Sequence, residues 1–187
     1  MRIVGGAFRG TRLAALGAGD DAARLRPTPD RVREALFNVL LGGRYDDPIT
    51  GAQVLDLFAG TGALGLEALS RGAADAVFVE KGARSQRLIA DNIERTRTSA
   101  TTRLIRRDAT RLKPASGPPA SLVFLDPPYG TDLGSRAIES ALTGGWLAPG
   151  ALILWEDRAP HPAPPGLSSR ESRRYGDTHI SFLEVDR

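Results

Sequence analysis

Short apolar runs alternate with amphipathic stretches along most of the chain. The apolar runs have the length of buried strands, and they predict five strands, at 54–58, 76–79, 103–106, 121–125 and 151–155. Between these runs, apolar positions at helical spacing predict helices at 63–70, 85–97 and 133–142. Strands that alternate with helices are typical of βαβ units, so we expect an α/β protein with a mostly parallel sheet.

Both ends of the chain depart from this alternation. Near the C-terminus, strand-like segments at 172–175 and 179–185 flank a turn, which predicts a hairpin that gives the sheet an antiparallel last strand. Near the N-terminus, short runs separated by glycines predict a small β-hairpin, and a helical stripe follows at 31–40. We therefore expect an N-terminal extension, 1–26, outside the α/β core, followed by a Rossmann-like domain, 27–187.

The amino-acid composition excludes several kinds of site and several classes of protein. The chain of 187 residues contains no Cys, which excludes disulfides and Cys-ligated metal sites, and its only two His residues make us expect no metal. No apolar run approaches the roughly 18 residues of a membrane span. The first residues lack the apolar region of a signal peptide, so we expect a cytoplasmic protein without membrane contact.

Basic residues form two local patches, although the formal net charge is only +3. Arginine accounts for 23 of the 25 basic residues, and its planar group suits contacts with phosphates and bases. Residues 1–16 carry three arginines and no acid, and residues 84–111 carry eight arginines against three acids. Each patch is either a solvated surface or a nucleic-acid contact.

A Gly-rich turn follows the first predicted strand, in the sequence Asp56-Leu57-Phe58-Ala59-Gly60-Thr61-Gly62. Glycines let the backbone approach a ligand closely and direct amide N–H groups toward it. Glu80 ends the second predicted strand, 20 residues after Gly60. This spacing fits a dinucleotide-binding fold and equally a nucleoside-binding methyltransferase, whose acid binds the ribose. Asp56 favours the methyltransferase, because an acid before the turn can meet a cationic amino-acid group.

Further acids follow the third and fourth predicted strands, at the edge where open α/β sheets bind ligands. Asp108 can accept a hydrogen bond from an exocyclic amine such as adenine N6. Asp126 begins the tetrapeptide Asp126-Pro127-Pro128-Tyr129, whose prolines fix the turn and remove two donors. Acceptors at Asp126 and the Pro127 carbonyl would bind both hydrogens of a base amino group, and Tyr129 would stack on the base.

These motifs together resemble those of class I S-adenosylmethionine-dependent amino-group methyltransferases. Three further segments make the chain similar to the RsmD family, the 16S ribosomal RNA guanine-966 N2-methyltransferases: 2–10 (RIVGGAFRG), 26–38 (RPTPDRVREALFN) and 174–178 (RYGDT). The resemblance implies a Rossmann-like, seven-stranded sheet and methylation of the exocyclic N2 amine of a guanine in 16S RNA of the small subunit or its precursor. It further implies S-adenosylmethionine as cofactor, and we expect a monomer. One departure is the stretch 14–23, which is longer than expected.

The resemblance also implies roles for individual residues. The cofactor is expected to contact Asp56, Phe58, Gly60, Thr61, Gly62, Glu80, Lys81, Asp108 and Ala109. The target base is expected to contact the catalytic tetrapeptide, Asp126, Pro127, Pro128 and Tyr129. The RNA phosphates are expected to contact Arg2, Arg9, Arg12, Arg26 and Arg31.

Three alternatives stay open on the residues alone. An amino-group methyltransferase acting on DNA or on another RNA is one, because the tetrapeptide does not separate adenine N6 from guanine N2. A nicotinamide-dependent oxidoreductase would explain the glycines but leaves the tetrapeptide without a role. A non-catalytic RNA-binding assembly factor would not need carboxylates, since these repel phosphates.

Overall fold

A computed structural model describes residues 1–15 and 29–187 of the protein. In this part of the chain, four α-helices and seven β-strands follow one another as α1 (Asp30–Leu41), β1 (Gln53–Leu57), α2 (Ala63–Ser70), β2 (Asp75–Val79), α3 (Ala83–Thr96), β3 (Thr102–Ile105), β4 (Ala120–Leu125), α4 (Leu133–Thr143), β5 (Leu147–Asp157), β6 (Leu167–Tyr175) and β7 (Thr178–Val185). The strands form one sheet in the order β3-β2-β1-β4-β5-β7-β6. Strand β7 pairs antiparallel with β5 and β6, and the remaining neighbours are parallel.

Apolar side chains on both faces of the central strands build the core. One cluster lies between the sheet and helices α1, α2 and α3 and includes Phe37, Phe78 and Phe124. The other cluster lies on the opposite face against α4 and includes Ile138 and Trp155. Burial on both faces explains why the central strands read as continuous apolar runs in the sequence.

The predicted α/β sheet with an antiparallel last strand is confirmed, and the differences concern strand ends. Strand β5 begins at Leu147, four residues before the predicted start, because a register shift against β4 accommodates Pro149 and Gly150. Strand β6 begins at Leu167 rather than at residue 172. This edge strand is largely solvent-exposed, so its sequence lacks the apolar alternation that predicts a strand.

Residues 1–15 pack against the α/β core instead of lying outside it. The predicted hairpin is reduced to one antiparallel bridge, between Arg2 and Arg12. Ile3 is fully buried and Leu13 is 6% exposed, and both belong to the cluster beneath the helices. The predicted boundary between residues 26 and 27 lies outside the described residues, as does most of the stretch 14–23.

A buried carboxylate anchors this N-terminal segment, 1–15, to α2. The two oxygens of Glu67 accept hydrogen bonds from the backbone N–H groups of Val4 and Gly5, each at 2.8 Å. Arg71 donates its Nε–H to the same carboxylate at 2.8 Å. A Cβ at Gly5 would lie 2.3 Å from the Arg71 guanidinium, so the glycine makes room for this ion pair. The segment is therefore held by specific polar contacts as well as by its apolar residues.

Neither a membrane-spanning helix nor a metal-binding cluster of side chains occurs in the described part of the chain. Within residues 1–15 and 29–187, none of the helices has the length and apolar character needed to cross a bilayer. The same residues contain no group of three or more His, Cys, Asp or Glu side chains placed to hold a metal ion.

Candidate active site

The carboxyl ends of four adjacent strands bring the predicted site residues to one edge of the sheet. Leu57 at the end of β1 pairs with Val79 of β2 and with Leu125 of β4, and Leu125 pairs in turn with Trp155 of β5. Glu80 directly follows β2, and Asp126 directly follows β4. The expectation that the acids share one edge is thus confirmed by the strand register.

The Gly-rich turn after β1 requires left-handed backbone conformations. Phe58 has φ 59°, which is uncommon for a residue with a Cβ, and Gly60 and Gly62 have φ 58° and 75°. A Cβ at Gly65, in the first turn of α2, would lie 2.5 Å from the Phe78 ring. The turn and the start of the helix thus depend on glycine both for conformation and for space.

Two carboxylates hold this turn through backbone N–H groups. Glu80 accepts hydrogen bonds from Gly60 N–H at 3.0 Å and from Gly82 N–H at 2.6 Å, one on each oxygen. Asp56 accepts one from Gly65 N–H at 3.0 Å. Since each carboxylate oxygen has two acceptor positions, Glu80 retains the capacity to bind ribose hydroxyls.

Asp56 is the more enclosed of the two acids, with 3% of its surface exposed. Burial raises the pKa of Asp56 to about 8; the Gly65 hydrogen bond acts against this shift and the charge of Glu80 adds to it. The predicted contact of Asp56 with a cationic group stays a prediction. Its observed role is to tie the start of α2 to β1.

The third predicted acid lies beyond β3. Partial burial acts to raise the pKa of Asp108, but hydrogen bonds from Thr110 and Lys81 outweigh it and hold the pKa below its ordinary value. Lys81 Nζ lies 3.2 Å from Asp108 Oδ2, which places these two predicted cofactor residues in contact. The neighbouring Ala109 is 3% exposed. An ionised Asp108 suits the predicted role of accepting a hydrogen bond from an amine.

The predicted cofactor residue Thr61 contacts Asn92 of α3 and Met1 of the N-terminal segment. The fully buried Asn92 of α3 donates to the Thr61 carbonyl at 2.9 Å and to the Ala14 carbonyl at 3.1 Å, and accepts from Ala14 N–H at 2.6 Å. Thr61 Oγ1 also lies 3.8 Å from Met1 Sδ. The N-terminal segment and the Gly-rich turn are therefore joined through one side chain.

The tetrapeptide after β4 turns back against α4. Pro127 is buried and Pro128 is exposed. A Cβ at Gly134 would lie 3.1 Å from Pro127 Cγ and 2.2 Å from the Trp155 ring, so this glycine lets the helix approach. Tyr129 is partly buried and donates its hydroxyl hydrogen to Glu156 Oε1 at 3.1 Å. These contacts fix the direction of the turn that carries Asp126.

Acidic neighbours surround Asp126. Burial raises the pKa of Asp126 well above its ordinary value, and the charges of Glu156, Asp56 and Asp157 raise it further. Arg158 stands over the Tyr129 ring, with its guanidinium carbon 5.6 Å from the ring centroid. Three other acids thus lie close enough to Asp126 to raise its pKa.

Glu156 is the residue of this edge that the sequence prediction missed. The predicted fifth strand ends at Trp155, whereas β5 continues to Asp157. The available signal was an acid directly after an apolar run, the same pattern that identified Glu80 and Asp126.

Three of the predicted RNA-binding arginines line one cleft. Arg2, Arg9 and Arg31 line a cleft of roughly 280 Å³ that also contains Asp30 and Glu34. The backbone of Arg12 bridges that of Arg2, and Arg26 lies outside the described residues. The structure thus brings three of the five arginines to one surface.

The chain is similar to known proteins along nearly its whole length. The family described as conserved hypothetical protein 95 matches residues 1–184. Ribosomal RNA small subunit methyltransferase D of Escherichia coli (strain K12) is 42% identical over 165 residues, which are 88% of this chain and 78% of that protein. The protein of the same name from Haemophilus influenzae is 35% identical over 87% of this chain and 81% of its own length.

Similarity extends to solved structures. The Escherichia coli protein yhhF superposes with a TM-score of 0.80 at 35% identity, over 100% of this chain and 98% of that chain. A Thermus protein superposes with a TM-score of 0.74 at 33% identity, over 99% of both chains. The chain therefore belongs to the family described as conserved hypothetical protein 95, the RsmD family, and its sheet is the Rossmann-like fold of class I methyltransferases.

Proposed function

We propose that this protein methylates the exocyclic N2 amine of a guanine in 16S ribosomal RNA, with S-adenosylmethionine as the methyl donor. The observation that carries the proposal is the placement of Asp126–Tyr129 beside the Gly-rich turn, at the carboxyl ends of adjacent strands. The relatives named ribosomal RNA small subunit methyltransferase D support the RNA substrate.

The residues at the sheet edge fit this cofactor. The backbone of the turn from Phe58 to Gly62 would face the cofactor, Glu80 would bind its ribose hydroxyls, and Asp108 would accept a hydrogen bond from its adenine amine. When bound, S-adenosylmethionine supplies an electrophilic methyl group. Lys81 and Thr110 keep Asp108 ionised and oriented for that contact.

The tetrapeptide positions the target amine. The lone pair of an aromatic amine is delocalised into the ring, so the amine is a poor nucleophile. Acceptors at Asp126 and the Pro127 carbonyl bind its two hydrogens and favour a pyramidal nitrogen, while Tyr129 stacks on the base. Asp126 also stabilises the positive charge that develops on nitrogen during transfer. Its raised pKa suits it to take the proton afterwards.

The basic surfaces would contact the RNA. Arg2, Arg9, Arg12, Arg26 and Arg31 would bind phosphates of 16S RNA in the small subunit or its precursor, with the target guanine flipped out of its stack. The enzyme would act as a cytoplasmic monomer.

Nucleoside analysis tests the proposal. Small subunits lacking the modification are incubated with the protein and labelled S-adenosylmethionine, and the digested RNA is examined by mass spectrometry. We expect N2-methylguanosine from the wild-type protein and a rate about 10²–10³-fold lower from Asp126→Ala, with cofactor affinity unchanged. N6-methyladenosine as product would overturn the guanine assignment, and a fully active Asp126→Ala would overturn the mechanism. Thermal stabilisation by S-adenosylmethionine and not by NAD excludes the oxidoreductase alternative.

A further inference from the structure

The tetrapeptide binds an amino group but does not identify the base that carries it. Adenine N6, cytosine N4 and guanine N2 are all aromatic amines with two hydrogens. The ring nitrogens next to the amine differ. The guanine amine lies between N1, which carries a hydrogen, and N3, which carries a lone pair, whereas the only ring nitrogen next to the amine of adenine (N1) or cytosine (N3) carries a lone pair. A residue that meets guanine N1 would therefore decide between guanine and the other two bases.

Glu156 stands where such a residue is needed. Leu125 pairs with Trp155 in parallel register, so Asp126 and Glu156 occupy neighbouring positions at the ends of adjacent strands. Their proximity is also evident in the electrostatics, since the Glu156 charge raises the pKa of Asp126. Tyr129, the predicted stacking platform, donates its hydroxyl hydrogen to Glu156 Oε1 at 3.1 Å. Glu156 thus contacts one member of the tetrapeptide and lies beside another.

This carboxylate is mostly closed to solvent and has other acids beside it. Glu156 is 8% exposed and shares the strand ends with the acids Asp126 and Asp157. A buried carboxylate needs hydrogen-bond donors, and a second acid nearby increases the cost of ionisation. Its two oxygens offer about four acceptor positions, so it can hold Tyr129 and accept further hydrogen bonds.

We propose that Glu156 selects guanine by accepting a hydrogen bond from the ring N1–H, while Asp126 and the Pro127 carbonyl hold the N2 amine. The inference rests on the proposed function and adds the base specificity of the same site. Adenine or cytosine in this position would place a ring lone pair against the carboxylate. Selection thus arises from repulsion of the wrong bases as well as from attraction of guanine.

A guanine analogue that keeps the amine but lacks the N1 hydrogen tests this assignment. 2-Aminopurine keeps the C2 amine but has a lone pair at N1 and no O6. Small subunits are reconstituted with 16S RNA that carries either guanosine or 2-aminopurine riboside at the target position. For each substrate, kcat/KM is measured with the wild-type protein, with Glu156→Gln and with the matched control Tyr129→Phe, which removes the hydroxyl that donates to Glu156.

The wild-type protein should methylate 2-aminopurine about 100-fold less efficiently than guanosine, because a buried acceptor loses its donor. Glu156→Gln should lower kcat/KM on guanosine by about the same factor and leave it unchanged or raised on 2-aminopurine, since the amide donates to the N1 lone pair. Tyr129→Phe should change kcat/KM by the same factor on both substrates. Thermal unfolding and cofactor titration verify that each variant is folded.

Two results would overturn the role of Glu156. Equal use of both nucleotides by the wild-type protein is one, and it requires no variant. The second is an equal loss of kcat/KM on both substrates in Glu156→Gln. A residue that only supports Tyr129 or the fold would affect both substrates equally, because its effect would not depend on the group at N1. Absence of any N2-methylguanosine with the wild-type protein would refute the proposed function itself, and the inference with it.

Discussion

Replacing Glu67 with glutamine tests how firmly the N-terminal segment belongs to the folded domain. The Glu67 carboxylate is fully buried and accepts three hydrogen bonds of 2.8 Å, from Val4, Gly5 and Arg71. Glutamine has nearly the same shape but only one acceptor oxygen. If that oxygen takes the place of Oε1, it keeps Gly5 and Arg71, and the new amide group faces the Val4 N–H.

The size of the effect follows from these contacts. One buried donor left unsatisfied costs about 1–3 kcal/mol. Removing the charge that neutralises Arg71, which is only 10% exposed, adds to this, and breaking a buried ion pair costs about 3–5 kcal/mol in total. We expect a loss of about 3–5 kcal/mol in the free energy of unfolding. For a chain of this size, that loss lowers Tm by roughly 6–20 °C.

Thermal unfolding followed by circular dichroism measures this loss. Glu34→Gln is the matched control, because Glu34 is exposed and lies near the same segment, and its effect should stay within about 0.5 kcal/mol. Hydrogen exchange at the Val4 and Gly5 amides should accelerate in Glu67→Gln alone. A Glu67→Gln protein that melts within 2 °C of the wild type would refute the reasoning, since the segment would then contribute little to stability.

Three further variants probe the sheet edge and the basic cleft. Glu80→Gln should weaken S-adenosylmethionine binding about 10–100-fold in calorimetry, because charge-assisted hydrogen bonds are lost; unchanged affinity would reject the ribose contact. Burial raises the folded pKa of Asp56 to about 8, far above its unfolded value, so the folded state binds the proton more tightly and wild-type stability falls as pH rises from about 4 to about 8. Asp56→Asn should flatten that decline in Tm measured across pH, and an identical decline would contradict the assignment. Arg9→Gln should weaken RNA binding and reduce the slope of log affinity against log salt by about 1, whereas an unchanged slope would remove Arg9 from the phosphate contacts.

The sequence predicted the sheet well where burial controls the residue pattern. Strands β1, β2 and β4 are apolar because both faces are covered, and their predicted positions agree with the structure within one residue. Strand β6 lies at the edge of the sheet and exposes most of its residues, so its sequence lacks the apolar pattern that predicts a strand. The packing of Ile3 into the core was also beyond prediction, because it depends on contacts with Glu67 and Ser70, more than 60 positions away.

The sequence predicted which edge of the sheet carries the candidate site, but it did not predict the contacts that the residues make there. The carboxyl ends of parallel strands lie at the same edge of a sheet. Acids at those ends therefore lie near one another for any conformation of the loops. Which hydrogen bonds they make depends on the turns between them. Glu80 meets Gly60 only because that turn bends through left-handed conformations. Glu156 lies outside the predicted strand because the apolar run ends at Trp155, whereas β5 continues to Asp157.

The contacts of Asp56, Glu80, Asp126 and Glu156 differ, although these four acids share one edge of the sheet. Glu80 accepts a hydrogen bond from Gly60 N–H of the Gly-rich turn, and Asp56 accepts one from Gly65 N–H in the first turn of α2, so both acids fix the backbone around that turn. Glu156 accepts a hydrogen bond from the hydroxyl of Tyr129. The burial of Asp126 raises its own pKa, and the charge of Glu156 raises it further. Carboxylates held by backbone donors are stabilised before any ligand arrives, and neighbouring buried carboxylates favour a ligand that donates hydrogen bonds. An amine next to a ring N–H is such a ligand. From this difference in contacts, we expect the cofactor to lie against the first pair of acids and the target base against the second.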